Sequence, residues 1–114
     1  MAKLPDEIIT RILNLQRQLL EQIDEVTETE FTLLEQFGET EETSREFEQL
    51  QNVRERAETY YSRFYGTLRR VYESQPLASR DTLELLAKFI NEAEATVEAI
   101  RATTQEIKRD FNLP

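Results

Sequence analysis

Apolar residues recur in this chain at alternating spacings of three and four, over three stretches that each end at a cap or a breaker. On an α-helix that period keeps one stripe facing a neighbour; on a strand it would scatter the same residues over both faces. The first seam is Ile9, Ile12, Gln16, Leu19, Ile23, Val26, Glu30, Leu33 and Phe37. The second is Leu50, Val53, Ala57, Tyr60, Phe64, Thr67 and Val71, and the third runs Leu83, Leu86, Ile90, Ala93, Val97, Ile100, Thr104, Ile107 and Phe111. They predict an all-α fold, a long three-helix antiparallel (up-down-up) bundle of coiled-coil type. Helix 1 is expected over about residues 5–37, helix 2 over about 41–74 and helix 3 over about 80–111. With 114 residues, two glycines and three prolines, residues 1–114 read as a single domain.

The boundaries carry their own signals. Pro5 suits a first helical turn, and Asp6 and Glu7 complement the dipole there. Gly38 fits the position just past a helix C-terminus. Thr40 or Thr43 is expected to cap helix 2, with Thr43 and Glu46 in the capping-box pattern. Pro76 ends helix 2. Ser79, or Asp81 with Glu84, offers a cap for helix 3. Gly66 interrupts good helix sequence, through close helix approach, a slight kink or neutral accident. Short connectors force the hairpins back on themselves. That brings Tyr60 level with Ala93 and Ala57 level with Val97, large against small, and points Glu30 at Lys108.

The chain contains neither cysteine nor histidine. Thiol nucleophiles, disulfides, His-based acid–base pairs and thiolate or imidazole metal sites are therefore excluded. The isolated glycines cannot cradle a phosphate. A carboxylate-only magnesium site is conceivable, but the spacing of the acidic residues matches ordinary solvated helix faces. The expectation is no enzyme, no catalytic residue, no metal and no cofactor. No apolar run approaches the roughly 20 residues of a membrane span, and the start of the chain lacks a signal-peptide core, so a cytoplasmic protein is expected. A net charge of −9 argues against nucleic acid and anionic membranes and favours basic partners.

Two surfaces stand out as candidates for recognition. Val53–Tyr72 holds all four tyrosines and carries five arginines against two glutamates, about +3 in an otherwise acidic chain. Within it Tyr65, Arg69 and Tyr72 share one outward face, with Arg63 and Arg70 alongside. Tyr and Arg dominate binding hot spots, yet they also serve bundle helices as rings and stems that cover apolar edges. Helix 1 has the broadest apolar face, widened by Ile8, Leu13, Leu15, Leu20 and Leu34. It can touch two helices of its own fold, or one helix plus a second subunit, so these five residues are candidates for self-association.

Length and three-helix layout resemble a spectrin-type repeat or a similar antiparallel coiled-coil domain. The core tryptophan usual in such repeats is missing, and no family is assigned on that basis. The reading is a non-enzymatic protein–protein interaction or assembly module, an adaptor or a homodimer, binding a partner through the Tyr/Arg strip of helix 2. The alternatives are a small helical subunit contacting single-stranded nucleic acid and a purely structural oligomerisation protein.

Overall fold

The computed structural model describes residues 4–114. They form α1 (Asp6–Phe37), α2 (Ser44–Glu73) and α3 (Arg80–Asp110), with no strand among the described residues. Every pair of helices packs together, giving the expected all-α three-helix bundle. It measures 56 × 21 × 17 Å. The chain runs up, down and up, so α1 and α3 are parallel and α2 opposes both.

Local chemistry explains each end. The Pro5 carbonyl accepts the N–H groups of Ile8 and Ile9 at 3.0 and 3.2 Å, opening α1. Gly38 closes it at φ 72°, where a side chain would strain the backbone, and donates its N–H to the Leu34 carbonyl at 2.9 Å. Ser79 caps α3, its Oγ accepting the Thr82 N–H at 3.1 Å; Asp81 instead lies in the first turn. The Thr43–Glu46 capping box does not form. The Thr43 hydroxyl is turned back on the connector, donating to the Gly38 carbonyl and accepting the Thr40 N–H, both at 2.9 Å. Thr43 is buried there, so it ties the end of α1 to the start of α2 rather than capping α2 alone.

The core of α2 is the expected seam, with Leu50, Val53, Ala57, Phe64, Thr67 and Val71 buried and Tyr60 half-buried. In α1 the seam is rotated. Ile12, Leu19, Val26 and Leu33 are buried as expected, but the second buried line is Leu15, Gln22 and Thr29 rather than Gln16, Ile23 and Glu30. The reason is that α1 has two neighbours, and its innermost line bisects them. Gln16, Ile23 and Glu30 then flank the core on the α2 side, while Gln18, Glu25 and Thr32 flank it on the α3 side.

Ion pairs mark these flanks. Glu30 meets Arg54 of α2 at 3.1 Å, and Glu25 pairs with Lys108 of α3. The expected Glu30–Lys108 pair is thus replaced by two others, as the rotation of α1 requires. Arg11 and Glu94 form a further α1–α3 pair. Between α2 and α3 the Tyr60 hydroxyl donates to Glu92 at 2.8 Å, within one residue of the expected level. A Cβ built on Gly66 would meet nothing within 4 Å, so no close helix approach depends on this glycine.

Candidate functional site

The side chains of α2 divide by neighbour. Arg54, through Glu30, shows that the line Phe47, Arg54, Tyr61 and Leu68 looks toward α1. These residues are partly buried. One step further out on the same side, at heptad spacing, lie Gln51, Glu58, Tyr65 and Tyr72. The opposite flank looks toward α3. There the Arg63 guanidinium stacks over the Tyr60 ring at 5.2 Å and over the Phe89 ring of α3 at 5.5 Å. Arg70, one heptad on, is exposed on that same flank. Arg69 points away from the bundle and holds only a loose 3.6 Å pair with Glu73.

The five residues picked as a partner-binding strip therefore do not form one patch. Tyr65 and Tyr72 belong to the α1 side, at 63% and 43% exposure. Arg63 and Arg70 belong to the α3 side, and Arg63 is engaged in helix packing through two cation–π contacts. Arg69 stands between the two groups.

The α1 candidates divide as well. Leu15 is buried in the core and Ile8 is packed against it, so neither is left for a second subunit. Both lie on the inward line that α1 shares between α2 and α3. Leu13, Leu20 and Leu34 remain about half exposed. They sit one step outside the Gln16–Ile23–Glu30 flank, again on the α2 side. Phe31, which sequence reasoning passed over, is 61% exposed beside them. Its signal was an aromatic ring three residues before Leu34 and off every seam.

The helix register joins these two sets. Glu30 and Arg54 form one rung between antiparallel helices. Ten residues along each helix from it, Leu20 comes level with Phe64 and its neighbour Tyr65; seven further, Leu13 comes level with Val71 and Tyr72. Leu13, Leu20, Tyr65 and Tyr72 thus border a single α1–α2 groove, floored by half-buried Ile23, Tyr61 and Leu68. Arg17 and Arg69 rim this end of the face. Toward the α1–α2 connector the same face carries Thr27, Leu34, Gln51 and Glu58, rimmed by Asp24, Phe31, Glu48 and Glu55. One half is aromatic with a basic rim, the other acidic.

A small depression lies between α1 and the end of α3, lined by Glu28, Thr29, Thr32, Lys108, Leu113 and Pro114. Two shallow open depressions follow the outer side of α2, the first lined by Asn52, Glu55, Arg56, Thr59, Tyr60 and Arg63. No group of three or more acidic residues converges to hold a metal ion among the described residues. No helix of the described residues is long and apolar enough to cross a membrane. Burial pushes the Tyr60 hydroxyl above the ordinary tyrosine value, and the adjoining Glu92 carboxylate reinforces the shift. Comparison with protein-family models, curated proteins and solved structures finds no match.

Proposed function

We propose that this chain is a non-enzymatic protein–protein interaction or assembly module whose contact surface is the α1–α2 face. One observation carries the reading. Among the described residues nine large hydrophobic side chains are exposed, and six of them, Leu13, Leu20, Phe31, Leu34, Tyr65 and Tyr72, line that face. Scattered exposed apolar residues are ordinary on a soluble protein, but four of these, Leu13, Leu20, Tyr65 and Tyr72, gather at one end of the groove, and such clustering is a mark of interaction surfaces. The tyrosines add large, stiff contact area with a hydroxyl to orient a partner. The strip proposed from the sequence is narrowed to Tyr65 and Tyr72 with Arg69 at the rim, and extended across the groove to Leu13 and Leu20.

Three substitutions test it, each read by a thermal melt and by affinity for a captured partner. Tyr65→Ala and Tyr72→Ala should change stability by no more than about 0.5 kcal/mol, while weakening binding by roughly 2 kcal/mol each. Phe64→Ala, whose ring is fully buried, should lose about 3–5 kcal/mol of stability. Tyrosine variants that bind as the parent does would remove the face from consideration.

A further inference from the structure

We infer that the occupant of the α1–α2 face is a second copy of this chain, docked face to face with its helices antiparallel to those of the first. This rests on the reading of that face as a contact surface and adds its partner. The argument is charge complementarity within one surface. Arg17 and Arg69 rim the Leu13–Tyr72 half; Glu48, Glu55 and Glu58 lie toward the other half. Two arrangements with twofold symmetry set the face on itself. In the parallel one, α1 covers α2 of the second copy, and Arg17 lands at the level of Arg69 of that copy, like charge on like. In the antiparallel one, α1 covers α1 and α2 covers α2, with the axis near Asp24 and Tyr60; the two Asp24 carboxylates then come level at the axis, and the complementary charges lie on α2.

Arg69 then falls between Glu48 and Glu55 of the second copy, Arg17 falls beside its Phe31, and the Tyr65 hydroxyl comes within reach of its Glu58. Leu13 faces Leu34, and Leu20 faces Thr27. The in-helix pairs that now hold Arg17 to Glu21 and Arg69 to Glu73 are long, both 3.6 Å, with all four side chains more than 60% exposed. They leave both arginines free to turn to a new carboxylate or ring.

The area suffices. Leu13 to Leu34 spans about 32 Å of helix, and two helices side by side are about 20 Å across. That is roughly 600 Å² of plane on each copy, or about 1,200 Å² in total, the lower end of the range for specific interfaces.

Sedimentation equilibrium tests the inference. The parent chain should show a monomer–dimer equilibrium at micromolar concentration, and Leu20→Arg should abolish it. Arg69→Glu and Glu55→Arg should each weaken it about tenfold or more, and the double variant should recover most of that loss. The two positions lie about 21 Å apart on one helix, so recovery requires contact between copies. Unchanged helical melts keep these surface variants interpretable. A parent that stays monomeric at several hundred micromolar, a dimer indifferent to Leu20→Arg, or a double variant no better than the singles would overturn the antiparallel dimer. If the parent is monomeric yet loses a different protein partner on Tyr65→Ala, the second copy is wrong and the contact face stands. If neither association depends on the face, both fall.

Discussion

Protonated, the Tyr60 hydroxyl donates to Glu92; ionised, it would set a phenolate against a carboxylate. Its folded value is raised above its unfolded one. Folding therefore holds this proton more tightly, and the associated stability is fully present below about pH 10 and lost as pH rises through the raised value. Melting temperatures taken from about pH 8 to about pH 11 should fall more steeply for the parent than for Tyr60→Phe; parallel curves would contradict this. Gly66 gives a prediction of opposite sign. A methyl group there meets nothing within 4 Å, and the position is helical and partly exposed. Gly66→Ala should stabilise by about 0.5–1 kcal/mol, measured as a higher denaturant midpoint.

At the scale of the element, α1 shows what a periodic pattern can and cannot reveal. The seam of threes and fours located the helix to within a residue and identified Ile12, Leu19, Val26 and Leu33 as core. It did not reveal the rotation, because Ile23 looks more core-like than Gln22, and Gln16 no worse than Thr29. The line that bisects two neighbours carries the polar residues, while Ile23 spends its apolar surface on the α2 flank. Gln22 keeps an unpartnered Oε1 in the core. An unpaired buried acceptor costs about 1–3 kcal/mol, so Gln22→Leu, of similar volume, should raise stability by a comparable amount in urea unfolding. A loss instead would mean that the amide makes hydrogen bonds in solution. Thr43 was equally hidden in the sequence, where a cap and a connector tie look alike. Both use a threonine hydroxyl, and only the fold of the Gly38–Thr43 connector decides which backbone group it meets.

For the molecule as a whole, the radius of gyration of 17.3 Å exceeds the roughly 13 Å of a compact domain of this length. So slender a bundle buries little and leaves long faces outside, and the face it leaves apolar is spread over two helices. That is why the site was legible only in halves. The exposure of Tyr65 and Tyr72, and of Leu13, Leu20 and Leu34, followed from their distance from the seams. Their juxtaposition did not, since it depends on which neighbour each helix turns toward, and a single rung, Glu30–Arg54, settles that. Shape also gives a measurement. A dimer joined side by side should keep a maximum dimension in solution scattering near the 56 Å of one copy, whereas copies joined at their tips would nearly double it.

The chain has no tryptophan and four tyrosines, and three of these, Tyr61, Tyr65 and Tyr72, line or floor the α1–α2 groove. Its ultraviolet emission is therefore tyrosine emission, coming largely from the face on which the proposal rests. The protein carries its own reporter. Any partner that shields these rings or brings a tryptophan beside them will change or quench that light, and dilution of a self-associated sample will restore it, with no label attached and no residue replaced.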